Sequence, residues 1–343
     1  MTQQEFKEIK ELFATPQTIA VIPHKNADGD AIGSALACVH YFNSKGHQAK
    51  VVSPNDYPDF LKWIPGTDKV LKFDMQNKQS KKWLDKSSVI FLMDFNELGR
   101  VGDDMRNTLV DLQKTFIMID HHQEPSDFAK YLYSDTSICA TAQMFYHFIE
   151  NLQDIPSINS EAATCLYAGI LTDTGSFRFP NTSPTTHRIV ADLIEKGADN
   201  AKIYDNIFDQ VTYNKLQLLG QALKNLVVIE EYKTAFITLT KPEKDRFNFQ
   251  KGDSEGIVNY ALSIKDIIFA AIFIEDEEQE IIKISFRSKG SFSVNQFSRK
   301  HFEGGGHTNA AGGRSKEKME QTLIRFKSLL PQYSESLKNS YVQ

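Results

Sequence analysis

Three short, nearly pure apolar runs each end abruptly on an acid or a histidine, and this pattern leaves the chain few folds to choose from. Thr18-Ile19-Ala20-Val21-Ile22-Pro23 runs into His24, Val89-Ile90-Phe91-Leu92-Met93 into Asp94, and Phe116-Ile117-Met118-Ile119 into Asp120-His121-His122. Apolar runs this short, with no polar alternation, suit strands covered on both faces in a parallel sheet. Ala31 to Ser44 reads as a helix with Gly46 as its stop, and Ala49-Lys50-Val51-Val52 as a further strand. Strands alternating with helices imply a doubly wound, mainly parallel α/β domain. Open sheets of that kind bind ligands outside the carboxyl ends of their strands. The fold itself therefore brings His24, Asp94 and Asp120 toward one edge, although they lie far apart in sequence.

A fourth cluster, Thr172-Asp173-Thr174-Gly175, ends a helical stretch from Ser160 to Leu171. Ser183-Pro184 then opens another helix with an N-cap and an N1 proline, and Gly197 closes it. The first domain is expected over 1–198. Residues 199–224 are helical and charged, which marks a linker. Residues 225–343 form a smaller α/β domain with a mixed sheet. Its expected strands are Asn225 to Glu230, Thr234 to Thr240, Ile267 to Ile274 and Glu280 to Phe286, interrupted by a loop and helix start at Lys251 to Gly256. Gly304-Gly305-Gly306-His307 and Asn309-Ala310-Ala311-Gly312-Gly313 follow, then a last helix from about Lys316 to Leu330.

Composition narrows the function. Net charge is -5 and the pI about 6.0, so no broad basic face to track a long nucleic acid is expected. A short anionic substrate held by metals and a few arginines remains open. Cys38, Cys139 and Cys165 are far apart in apolar segments and read as inert buried thiols. The N-terminus has no signal-peptide pattern and no apolar run is long enough for a membrane helix, so a cytoplasmic enzyme is expected.

His24, Asp28 and Asp30 lie at a strand-to-helix turn where Gly29 permits tight backbone, and alternate residues there can face two different metals. Taken alone, Asp30 could instead cap the helix, Asp94 could close an Asx turn, and Asp173 could end a helix. Asp120-His121-His122 is harder to read as surface polarity, because adjacent side chains diverge. One histidine can then bind a metal and the other face a substrate, with Asp120 behind them fixing a ring. Together the clusters suffice for two divalent ions sharing a carboxylate, the equipment for attack on a phosphate ester. In the second domain the glycine run allows close backbone approach to a phosphate, and Arg287 ends a strand where it could make a bidentate contact.

HKNADGD, Asp94, DHH and TDTG, followed by GGGHTNAAGG, resemble in this order the DHH phosphoesterase superfamily with its DHH-associated C-terminal domain, and within it the nanoRNase subgroup of oligoribonucleases and pAp phosphatases. The resemblance spans His24 to Gly313 and implies two manganese ions, with magnesium or cobalt as substitutes. His24 and Asp28 would hold one ion, Asp30, His121 and Asp173 the other, with Asp94 bridging. Asp94, Asp120 and His122 would be catalytic, His122 facing the scissile phosphate. Asn26, Arg100, Arg287, Ser288, Gly305, Gly306, His307 and Asn309 would bind substrate, in an active-site cleft between the domains. The chain is shorter and more acidic than RecJ-type exonucleases require. Ser298-Arg299-Lys300 is superficially similar to a family II pyrophosphatase signature, but the GGGH that follows does not fit it. Membrane-linked cyclic-dinucleotide phosphodiesterases carry segments not seen here.

The expected activity is degradation of very short oligonucleotides to mononucleotides, together with removal of the 3′-phosphate of pAp. The alternatives are a phosphodiesterase mainly for linear signalling dinucleotides such as pApA, and a non-catalytic nucleotide-binding module. No long nucleic acid and no membrane is expected as a partner, and the assembly considered is a homodimer.

Overall fold

A computed structural model describes residues 1–250, 252–277 and 279–340; Lys251, the first residue of the expected loop, lies outside them. The chain forms two compact units, Met1–Gln210 and Val211–Gln343. The stretch read as a linker contains two helices, Asn200–Phe208 in the first unit and Tyr213–Lys224 in the second.

The first unit is built on six parallel strands: β1 Thr18–Pro23, β2 Gln48–Ser53, β3 Leu71–Lys72, β4 Val89–Met93, β5 Thr115–Asp120 and β6 Tyr131–Ser134. Their order is β3-β2-β1-β4-β5-β6, the doubly wound arrangement. The apolar runs are continuous because each strand serves two cores. Ile19, Val21, Val89, Phe91, Met93, Ile117 and Ile119 pack under helices Gly29–Ser44, Thr141–Asn151 and Ser160–Asp173. The alternate residues Ala20, Ile22, Ile90, Leu92, Phe116 and Met118 belong to a separate core with Leu84, Met105 and Leu109, from helices Asn77–Lys86 and Asp103–Val110. Cys38, Cys139 and Cys165 are buried and free.

The second unit carries a mixed sheet in the order β11-β12-β10-β9-β8-β7. Its strands are β7 Val227–Ile229, β8 Thr234–Leu239, β9 Phe269–Asp276, β10 Ile281–Ser288, β11 Gly305–His307 and β12 Ala310–Ser315. Only β8 and β9 pair in parallel; the other neighbours are antiparallel. One face carries a phenylalanine-rich core, including Phe269, Phe273, Phe286, Phe297 and Phe326. The other is covered at β8 and β9 by Leu218, Ala222, Ile257, Val258 and Ala261. Among the described residues no helix is long and apolar enough to cross a membrane.

Candidate metal centre

Strand register builds the centre. Pro23 pairs with Met93 and Met93 with Ile119. The residues that follow, His24, Asp94 and Asp120, therefore form a row at the carboxyl edge of three neighbouring strands. β1 and β4 also mark the point where the strand order reverses, the crevice favoured for ligands.

Asp94 leaves β4 in the left-handed region, at φ 67°, with its N–H donating to the Ile119 carbonyl at 3.1 Å. This turn directs its carboxylate across the row: Oδ2 lies 3.5 Å from His24 Nε2, and Oδ1 lies 3.6 Å from His121 Nε2 and 3.8 Å from His122 Nδ1.

Helix ends supply the remaining acids. Asp28, not Asp30, is the N-cap of helix Gly29–Ser44, and its Oδ1 accepts from the N–H groups of Asp30 and Ala31 at 3.1 Å each. Its Oδ2 lies 3.9 Å from His24 Nε2. Asp30, one residue into that helix, is buried against the amino end of helix Thr141–Asn151, accepting from Thr141 N at 2.6 Å and Ala142 N at 2.9 Å. Asp173 ends helix Ser160–Asp173 with Oδ2 3.5 Å from His121 Nε2. The two long helices can bring these acids together because they cross almost without side chains between them. A Cβ on Gly33 would fall 2.6 Å from the Cys165 carbonyl, and one on Gly29 2.5 Å from the Thr172 side chain.

Among the described residues the donors gather into three groups whose ligand atoms lie within 4.8 Å of one another: His24, Asp28 and Asp94; Asp94, His121 and His122; and Asp30, His121 and Asp173. The ring tautomers suit a cation. His24 Nδ1 donates to the Lys25 carbonyl at 2.9 Å and His121 Nδ1 to the Ile138 carbonyl at 3.1 Å. A carbonyl only accepts, so each Nδ1 carries the proton and each Nε2 turns a lone pair toward the acids. Asp120 lies buried behind His122, accepting from its N–H at 3.0 Å and from its ring Nδ1 at 2.7 Å.

The electrostatics also call for positive charge. Burial, reinforced by the charges of Asp94 and Asp173, pushes the Asp30 carboxyl well up. Burial and the carboxylates of Asp28 and Asp94 do the same to Asp173. Burial works against ionisation of Asp94 too, but His24 and the other two histidines outweigh it and hold that carboxyl well down. Around His24 and His121 burial disfavours the imidazolium, and the surrounding carboxylates more than compensate, raising both rings. A divalent cation would relieve the repulsion and leave the imidazoles neutral. The mixed oxygen and nitrogen donor set fits such an ion.

Asn26 sits in the same turn at φ 57°, its N–H donating to Asn55 Oδ1 at 2.8 Å. Arg100 is exposed, and its carbonyl accepts from Lys25 N at 2.8 Å, which ties its loop to the His24 turn. In the second unit, Arg287 pairs with Ala310, and Ala310 with His307, so these side chains share one sheet face. Arg287 also stands beside Ala270, and burial lowers its pKa against the opposing pull of the Glu255 charge. Gly305 and Gly306 lie on the edge strand β11, with Gly306 N donating to Asn295 Oδ1 at 3.2 Å. Ser288 is buried, donating to the Phe292 carbonyl at 2.6 Å and accepting from Asn309 Nδ2 at 2.9 Å, so both residues fasten the loops at the end of β10.

Thr141 was not foreseen. Besides its N–H to Asp30, its Oγ1 donates to Asp94 Oδ1 at 2.9 Å, linking these two acids. Its only sequence signal is a threonine at the start of an apolar helical pattern.

Residues 18–170 match the model of the DHH family, N-terminal domain, and residues 230–333 that of the DHHA1 domain. The bifunctional oligoribonuclease and PAP phosphatase NrnA of Thermus thermophilus is 30% identical over 308 residues, covering 89% of this chain and 86% of that protein. NrnA of Bacillus subtilis is 26% identical over 296 residues, covering 86% and 88%. An exopolyphosphatase-related protein from Bacteroides fragilis superposes with a TM-score of 0.95 at 36% identity, covering 98% of each chain. The chain belongs to the DHH family and carries a DHHA1 domain. It is a hydrolase acting on phosphoester bonds.

Proposed function

We propose that this hydrolase degrades very short oligonucleotides to mononucleotides and removes the 3′-phosphate of pAp, working with two manganese ions in the cytoplasm. The observation that carries the reading is Asp94, whose two carboxylate oxygens face the His24 and His121 groups separately. In this reading His24 and Asp28 would hold one ion and Asp30, His121 and Asp173 the other, with Asp94 available to both. Bound divalent ions would supply Lewis acidity toward the phosphoryl oxygens and a water activated near neutral pH. The protein's own residues do the rest. Asp120 keeps the proton on His122 Nδ1, so His122 Nε2 is the atom turned to the scissile phosphate. Arg287 and His307 hold further phosphates of the substrate, with Asn26, Arg100 and the amides of Gly305 and Gly306 as additional donors. Ser288 and Asn309 shape that surface.

The NrnA relatives, matched over most of their length, support this substrate class. The name of the Bacteroides relative makes inorganic polyphosphate the competitor to include. Chelator-treated protein, assayed with and without manganese on pAp, pApA, a labelled pentanucleotide and polyphosphate, tests the reading. Manganese-dependent release of mononucleotides from the pentanucleotide, and of AMP from pAp, is expected. Cleavage of pApA alone would instead indicate a signalling-dinucleotide phosphodiesterase, and full activity without metal would reject the two-ion centre.

A further inference from the structure

The segment after Asp173 is strained and has no part in the metal groups. Gly175, Ser176 and Phe177 have φ of 55°, 64° and 63°, three consecutive residues in the left-handed region, two of them with side chains that resist it. Such conformations persist where the surroundings over-determine them, and they collect at functional sites. Here Thr174 does much of the fixing. Its Oγ1 accepts from Phe177 N at 3.0 Å, and its carbonyl accepts from Arg178 N and Phe179 N at 3.1 Å each. The Phe177 ring anchors the turn beside Tyr167 and His187, with centroids 6.0 and 5.6 Å away.

The product of this turn is the position of Phe179. Its ring lies directly on Gly175, where a Cβ would fall 2.5 Å from Phe179 Cζ, so only glycine admits it. Gly175 is two residues from Asp173. Phe179 nevertheless remains 40% exposed, and the Arg178 guanidinium carbon stands 5.6 Å from its ring centroid. An aromatic ring packed on Gly175, with the Arg178 guanidinium over it, thus stays partly exposed on the turn that follows Asp173.

We propose that Phe179 determines specificity by stacking on a nucleobase of the nucleotide whose phosphate is cleaved. The proposal rests on the oligonucleotide reading above. A base lies one sugar away from its phosphate, and the ring packs on Gly175, two residues along the chain from Asp173. Stacking on a π-face favours nucleotides over other phosphoesters without selecting one base, since every base has such a face. The Arg178 guanidinium, which lies over the ring, would swing aside to admit the base and keep a positive charge next to it.

The test compares a 5′-phosphorylated diadenylate with a counterpart whose sugars carry hydrogen in place of the bases, using the full chain with manganese. The wild type should prefer the base-bearing substrate through KM. Phe179→Ala should reduce that preference by about ten- to a hundredfold, again through KM with little change in kcat, and Phe179→Trp should retain it. An unchanged preference in Phe179→Ala, or equal losses on both substrates, would overturn the proposal, the second result meaning that the ring only supports the Asp173 turn. A wild type that cleaves neither dinucleotide would reject the oligonucleotide reading and this proposal together, whereas an active wild type with an unchanged ratio rejects this proposal alone.

Discussion

Asp94 is the residue on which the centre turns. It adopts a left-handed conformation, which in a non-glycine residue costs on the order of 1–3 kcal/mol, and in return its two oxygens face different histidines. Asp94→Ala should therefore abolish turnover even at saturating manganese while the fold survives, whereas His121→Ala should mainly weaken binding of one ion. Calorimetric metal titration of both variants, beside their rates, decides this; near-wild-type rates in Asp94→Ala would reject the bridging role. Asp120 is a gentler case if its part is to hold His122, whose N–H and ring Nδ1 both bond to it. Asp120→Asn should lower the rate by about 10- to 100-fold without changing metal stoichiometry. The sequence made these acids conspicuous because each interrupts an apolar run. It could not show that Asp28 rather than Asp30 caps the helix, since both stand at its start and only the backbone path selects the oxygen that meets Asp30 N and Ala31 N.

At the scale of elements, the crossing of helices Gly29–Ser44 and Ser160–Asp173 positions the acids, and it depends on missing side chains. Gly33→Ala would drive a methyl into the Cys165 carbonyl, which a rigid backbone cannot evade. A loss of about 2–3 kcal/mol is expected. Gly220→Ala supplies the opposite sign. That glycine lies within helix Tyr213–Lys224 with nothing within 4 Å of its missing Cβ, so alanine should stabilise by about 0.5–1 kcal/mol. Thermal melts of the two variants would test the contrast, and it fails if both shift the same way. The far end of helix Gly29–Ser44 is pinned by Asp154, which accepts from Ser157 Oγ at 2.6 Å, Tyr41 Oη at 2.8 Å and Lys45 Nζ at 2.9 Å. Partial burial favours the neutral acid, but these donors outweigh it and hold the carboxyl below its ordinary 3.8. A depressed folded pKa gives stabilisation that is complete above the unfolded value and lost as pH falls through the folded one. Asp154→Asn should thus melt lower than wild type at pH 7, with the gap closing below about pH 4; a gap that widens in acid would contradict this.

For the molecule as a whole, the division of labour between the units is open to measurement. The second unit offers Arg287 on a sheet face with His307, and among the described residues the candidate metal groups are all made of first-unit side chains. If Arg287 holds a second phosphate, its charge-assisted contact is worth about 1.5–3 kcal/mol. Arg287→Ala should then cost about ten- to a hundredfold more on a di- to pentanucleotide than on bis-p-nitrophenyl phosphate, which has no second phosphate. Parallel rates on the two substrates settle it, because equal losses would place Arg287 at the reacting phosphate or in folding.

Where periodicity was strong, the sequence was enough. β1 and β4 fall on the expected residues, because a strand buried on both faces must be apolar throughout. The helix capped by Ser183 begins at Pro184, as its local chemistry requires. Helices Asn77–Lys86 and Thr141–Asn151 were not legible. The first is mostly lysine and polar, with Ser80 and Leu84 as its buried positions, and the second lacks a side-chain cap. The second of these losses matters for the site, since Thr141 and Ala142 donate to Asp30 through their backbone amides, and an amide is the same in every residue but proline. Sequence alone thus marked out acids and histidines as candidates to hold cations, without separating the parts of His121 and His122, and the strands that bring His24, Asp94 and Asp120 to one edge, because residue type and period carry that information. Tertiary structure alone decided their register, the cap that frees one oxygen of Asp28, and the glycine crossing that lets Asp30 and Asp173 meet at His121, because the register and the crossing depend on contacts between segments far apart in sequence, and the cap on the path the backbone takes through its turn.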